Sequence, residues 1–400
     1  MSFLPNRQTL DRSRLAQSLE SATFLRDDPR AHMAARLPAF LQPLLTLITA
    51  KPAPGEETPE RSPIAFVAGG LLAMLGGAGL SAAAIAVTMP LWLACLLLLV
   101  GLTTTASGLG LYQVVVFHHC SHGTVFPTRE RNRAIGRLVS SLLLFARFED
   151  YQREHMLHHS ANKMLTDEDE FTGFVFGVCR LEPGVSKREL WRRVVTNLVS
   201  PLFHARFLRR RVKAAMFGQD RQHNWMSRSA YLAAFALAAA TGTMTEFLVA
   251  WVLPLTVLLQ IATVFRILCE HRFPEPELIA ARGKAFVCAS TTGVFPGAMP
   301  PDARANTLRG ILAWALWWAN MLTVTVFSRA FVLVGDAPCH DFHHRRPANR
   351  KWTSYAHARQ QDSDAGSPGF PVGYTENWGL IRAVDSNLAT LAATPPGLVH

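Results

Sequence analysis

Between Ile64 and Phe117 the chain has no Asp, Glu, Lys or Arg. That absence excludes an ordinary soluble domain there, because about 20 apolar residues suffice to cross a hydrocarbon core of roughly 30 Å. The stretch is long enough for two crossings. Pro90 marks the turn between them, since it lacks a backbone donor and disfavours helix just before it; a rival turn lies at Gly76-Gly77-Ala78-Gly79. A second apolar block, Ala230 to Phe265, is broken only at 241–246, where a helix-stopping Gly242 and the charged Glu246 do not suit mid-membrane. Lys and Arg are missing from both turns. The segment between the hairpins is instead rich in arginine, including Arg129, Arg131, Arg133, Arg147, Arg192 and Arg209. By the positive-inside rule both turns face away from the cytoplasm.

Other absences narrow the class further. Residues 1–7 lack the basic-then-apolar pattern of a cleaved signal, so the first span is expected to act as the insertion signal and the amino end to stay cytoplasmic. The six cysteines have no close, regular spacing, which excludes a disulfide framework and suits a reducing compartment. Cys120, Cys269 and Cys339 adjoin histidine motifs but read as small apolar filler. No internal repeat or low-complexity tract is present. The formal net charge of +11 follows from the basic cytoplasmic face and its attraction to anionic lipid, so nucleic acid is not an expected partner. Arg outnumbers Lys and Ala is abundant, which points to a bacterial inner membrane.

The positive reading is an all-α integral membrane protein, consistent with 49% hydrophobic against 17% charged residues. Four transmembrane helices in two hairpins are expected near 66–88, 91–117, 226–243 and 247–268, with a cytoplasmic helical cap. Residues 1–62 form a cytoplasmic or interfacial segment, 63–350 the membrane domain, and 351–400 a cytoplasmic cap or tail. The apolar segment 307–334 could pass for a fifth span. It is expected to lie in the interface, or to dip and return, with Trp314, Trp317 and Trp318 at headgroup level.

Chemistry is carried by the 15 histidines, which are not scattered. His118 and His122 follow the second span. His155, His158 and His159 form an HxxHH group in the cytoplasmic segment. His271 closes the fourth span, and His340, His343 and His344 form a second HxxHH group. Residues three and four apart share a helical face, so each group presents its imidazoles together. Nine neutral imidazoles exceed what one zinc ion uses but suit two transition-metal ions with a position left open. Two complete hairpins return the chain to its starting side before His118 and again before His271. As helix, residues 91–118 rise about 40 Å, beyond the hydrocarbon, so the first pair projects towards the cytoplasm. The last group must join from the same side.

HxxxH, HxxHH, an isolated Glu270-His271 and a final HxxHH resemble the membrane fatty-acid desaturase and hydroxylase superfamily over roughly residues 64–350. His118-His119-Cys120-Ser121-His122-Gly123 is similar to the family's first box, and Arg266-Ile267-Leu268-Cys269-Glu270-His271 to the bacterial fourth-span motif. The resemblance implies that the nine histidines hold two iron ions and that molecular oxygen is the co-substrate. The implied reaction is oxidation of an unactivated C–H bond in an acyl or lipid chain, most directly desaturation, the acyl group being carried on a lipid, a thioester or a carrier protein. Electrons would come from a separate donor such as a ferredoxin or a cytochrome. A hydroxylase, ketolase or acetylenase acting on a specialised lipid is the alternative within that class. A membrane metal-binding or metal-transport protein is the alternative outside it, but transporters place polar ligands within their spans, and these spans carry almost none.

Around the ligands, Glu154, Asp169 and Glu270 are candidates to hydrogen-bond the outer nitrogens of the imidazoles. His119 replaces the acidic residue usual in the first box and points off the His118/His122 face, as a support for a ligand or a solvent-facing group. His32, His204, His223, His357 and His400 lack partners at ligand spacing.

Overall fold

A computed structural model describes residues 28–302 and 306–398. The amino-terminal reading for residues 1–27 and the expectation for His400 fall outside them. The described residues are mostly helical, and their only sheet is a two-stranded parallel ladder, Gly293–Phe295 beside Glu376–Trp378.

The first hairpin pairs the helices Pro63–Ala86 and Leu91–Ser121. Pro63 occupies the first helical position, where its missing N–H is not needed, and the chain leaves helical geometry at Val87 ahead of Pro90. Gly76–Gly79 lies mid-helix, not at the turn. The reason is close packing: a Cβ on Gly77 would stand 2.5 Å from the Thr105 amide nitrogen, and one on Gly108 would stand 2.5 Å from that of Met74. The glycines let two backbones touch, the device by which apolar helices associate in lipid. The second hairpin joins Arg221–Thr241 to Met244–Glu270 through Gly242, which closes the first helix at φ 72°, a left-handed conformation that glycine adopts freely. Pro254 sits inside the longer helix, where the backbone widens into π-helical turns that tolerate its missing donor.

Among the described residues, four helices are long and apolar enough to cross a membrane: Pro63–Ala86, Leu91–Ser121, Met244–Glu270 and Leu308–Val332. They make this an integral membrane protein. The set differs from the expected spans in one exchange. Arg221–Thr241 opens with Arg221, Gln222, His223, Asn224 and Arg228, so its uncharged apolar part is short. Residues 307–334, expected to lie in the interface or to dip and return, contain one continuous helix, Leu308–Val332, of 25 residues that is long and apolar enough to span.

Helices Arg129–Leu142, Phe148–His158, Lys187–Val199 and Pro201–Met216 fill the segment between the hairpins. The tail is ordered as helices Tyr355–Asp364 and Leu380–Ala393. It is bound into the fold: Asn387 donates to the Leu268 carbonyl at 3.0 Å, and Lys51 bridges Asp28 and Glu376 at 3.0 and 2.5 Å. Arg359, 1% exposed, grips Asp341 at 2.7 Å and Glu376 at 2.8 Å, fastening the tail to the last HxxHH helix, His340–Arg345.

Candidate metal centre

The nine histidines converge into two clusters. His118, His122, His155, His159 and His343 form one; His158, His271, His340 and His344 form the other, and within each the ligand nitrogens lie within 4.8 Å of one another. Both HxxHH groups serve both clusters. In the earlier group the i,i+4 pair His155/His159 joins the first cluster and His158 the second; in the later group His340/His344 joins the second and His343 the first. Neighbours on a helix diverge by about 100°, so a single turn can feed two adjacent sites.

Local structure aims the rings. The Leu91–Ser121 helix widens into π-helical turns over Tyr112–Phe117 and delivers His118 and His122 from its last turn. His118 donates from Nδ1 to the Val114 carbonyl at 2.9 Å, which frees Nε2. His158 donates from Nδ1 to Asp169 Oδ1 at 2.8 Å. That carboxylate is itself pinned by the backbone amides of Leu165 and Phe171 at 2.8 and 3.0 Å. His343 Nδ1 lies 3.1 Å from the Tyr355 hydroxyl. Such outer contacts fix tautomer and ring orientation in metal sites.

The Nε2 atoms face one another. His118 stands 2.8 Å from His343 and 2.9 Å from His155, and His155 stands 3.0 Å from His122. In the second cluster His340 is 2.9 Å from His271 and 3.0 Å from His344, and His158 is 3.1 Å from His271. Two nitrogens at right angles around one ion, each about 2.1 Å away, would be about 3 Å apart. The observed spacings match that edge, so the donor sets fit transition-metal ions. Burial, followed by the neighbouring imidazoles, holds His155, His159, His340, His343 and His344 well below the ordinary histidine range, and burial brings His122 down to about 3. These rings are neutral and their lone pairs available. For His158 burial acts downward and is the largest single influence, but Asp169, Glu170 and Glu270 together outweigh it and the net shift is upward.

The remaining site expectations divide. Asp169 is in contact with a cluster histidine. Glu154, one residue before His155 and therefore on another helical face, forms no hydrogen bond or ion pair with any of the nine. Glu270 makes none either: Arg266 holds it at 2.9 Å, because the chain leaves helical geometry at His271 and turns the two side chains apart. His119 belongs to neither cluster and does not face solvent; it is fully buried, with Nε2 2.7 Å from Asp336 and its ring stacked on Trp352 at 5.3 Å. His204, His223 and His357 lie outside both clusters, beside Gln260, Ser141 and Glu56 respectively. No cysteine joins either cluster among the described residues. Sequence reasoning missed Tyr355 and Asp336, which no local motif marks.

A cavity of about 280 Å³ opens directly onto His118, His155, His158, His271 and His340. Phe171, Phe174 and Phe207 line it, and Gln113, Arg266 and Glu270 add polar groups to its wall.

Fold and site together define an integral membrane protein with paired histidine clusters suited to metal ions. A family model described as fatty acid desaturase matches residues 90–322, more than half of the chain, and the protein belongs to that family. The match contains His118 through His271 and ends before the final HxxHH group. No curated protein matches the chain.

Proposed function

We propose that this protein is an oxygen-dependent di-iron oxidase of unactivated C–H bonds in a fatty acyl or lipid chain, acting most directly as a desaturase. The observation that carries the reading is the division of nine buried or half-buried imidazoles into facing sets of five and four, five of which open onto a largely apolar cavity. Two iron ions held by these sets, reduced by a separate donor such as a ferredoxin or cytochrome, supply activation of molecular oxygen and removal of hydrogen from the chain. Val114, Asp169 and Tyr355 keep the ring nitrogens directed inward. Phe171, Phe174 and Phe207 exclude water and hold the acyl chain against the clusters.

Topology supports one membrane face for all four histidine groups. His158 lies 3.1 Å from His271, so the chain between them crosses the bilayer an even number of times. The pairing of Arg221–Thr241 with Met244–Glu270 supplies those two crossings. His271 and His340 are 2.9 Å apart, so the one helix of span length between them, Leu308–Val332, is read as lying along the membrane rather than crossing it once. Its contacts agree: Trp317 donates to the Ala298 carbonyl, Arg329 to that of Leu47, and Ser107 to that of Ala330. We assign the histidine face and both ends of the chain to the cytoplasmic side of a bacterial inner membrane.

The polar wall groups Gln113, Arg266 and Glu270 favour a second reading within the same chemistry, hydroxylation, ketolation or triple-bond formation on a lipid that already bears a polar group. Anaerobic purification followed by metal analysis, oxygen-uptake measurement and mass spectrometry of lipids from cells with and without the protein tests both. Two irons per chain and a loss of two hydrogens support desaturation; a gain of oxygen supports the second reading. Metal flux in proteoliposomes without oxygen uptake would overturn both.

A further inference from the structure

A second cavity, of about 760 Å³, shares no lining residue with the one at the histidines. Its apolar wall comes from three of the four apolar helices: Phe66 and Gly69 on Pro63–Ala86, Leu111 on Leu91–Ser121, and Val326 and Ala330 on Leu308–Val332. Small residues leave the slot open; a Cβ at Gly69 would meet no atom within 4 Å. Trp352, itself buried, packs edge-on against Phe66 at 5.5 Å on this wall.

Two guanidinium groups border the same space. Arg329 bonds only backbone carbonyls, those of Leu47, Leu333 and Gly335, and pairs with no carboxylate within 4.0 Å among the described residues. A guanidinium has five N–H donors, so this one keeps capacity for a ligand. Arg61 likewise makes no ion pair among the described residues. Of the acids on the wall, Asp336 is engaged by His119 at 2.7 Å, and Glu60 is exposed. Asp336 attracts the Arg329 guanidinium only from beyond ion-pair distance and is itself engaged by His119, so the arginine charge is incompletely met and open to an anionic ligand. A cavity of this size suits an organic ligand, and its pattern of cations above an apolar slot suits an acidic amphiphile.

We propose that this cavity binds a lipid with an acidic headgroup, its phosphate or carboxylate between Arg61 and Arg329 and one acyl chain in the slot at Gly69. The site depends on the membrane setting and not on the iron chemistry.

The full-length protein in phosphatidylcholine nanodiscs, titrated with phosphatidylglycerol or with oleate and read by native mass spectrometry, tests the site. One acidic lipid per chain should be retained under conditions that strip phosphatidylcholine. Retention of oleate alone identifies a free acid as the ligand, and retention of phosphatidylglycerol alone a phospholipid. Gly69→Trp, which fills open space, should weaken retention at least tenfold. The exposed Arg61→Gln, which disturbs no packing, should weaken it severalfold. Equal retention in wild type and both variants, or equal retention of phosphatidylcholine, overturns the proposal.

Discussion

Asp169 accepts a hydrogen bond from His158 while two backbone amides hold the same carboxylate in place. The ring of His158 is therefore oriented before any ion arrives. Asp169→Ala is expected to lower metal affinity about 10- to 100-fold, the usual effect of removing such a support. Metal content after dialysis against graded chelator measures it, and wild-type retention would refute the orienting role.

His119 sits among the histidine boxes but outside both clusters, tied to Asp336. His119→Gln should keep the full complement of metal, whereas His343→Ala and His271→Ala should each lose at least one ion per chain. Elemental analysis of the three purified variants separates these outcomes. Loss of metal from His119→Gln would make it a ligand.

Asp341 faces the buried Arg359 guanidinium at 2.7 Å. Truncating one partner of a buried pair strands the other charge, which is destabilising by roughly 3–5 kcal/mol. Asp341→Ala should therefore unfold at markedly lower temperature in detergent. An unchanged melting curve would show that Glu376 alone suffices for Arg359.

The histidine pockets predict a direction for acid sensitivity. Rings held well below their ordinary pKa stay neutral in the folded protein, while the unfolded chain takes up protons below about pH 6.5. The metal-free protein should thus be steady between about pH 8 and 7 and lose stability as the pH falls below about 6.5, continuing towards each folded-state value. His158, shifted upward, and Glu170, whose carboxyl burial raises to about 7, oppose the trend against the larger number of depressed imidazoles. Protons also compete with metal for the same nitrogens, so acid should release bound ions. Thermal unfolding across this range gives the test, and greater stability in acid would contradict it.

Chain-length selection should reside in the cavity next to the clusters. Thr263→Phe narrows it and Phe207→Ala widens it. The first should favour shorter acyl chains and the second longer ones, by about 10- to 200-fold in kcat/KM for a change of one or two methylenes. Competition between labelled chains of different length reads both variants. The same shift in both would exclude this cavity as the chain site.

Much of this architecture is legible in the sequence because its signals are local. Absence of charge outlines the first hairpin, Pro90 its turn, and the spacing of three and four residues the faces of the histidine boxes. The family resemblance rests on the same short motifs and agrees with the family match. What stays hidden depends on distant contacts. His118 meets His343 across 225 residues, and Tyr355 reaches a ligand from a tail whose composition points only to a polar cap or tail. Hydropathy also ranks Leu308–Val332 above Arg221–Thr241 as a span, since it reads composition but not the position of the neighbouring histidines.

Each cluster draws on the last HxxHH group, His343 for one and His340 with His344 for the other. A nascent chain therefore cannot complete the first set until residue 343 has been made, nor the second until residue 344, although the early ligands emerge far sooner. Metal ions can be fully caged only after both sets are closed, when the long apolar helices have already been made.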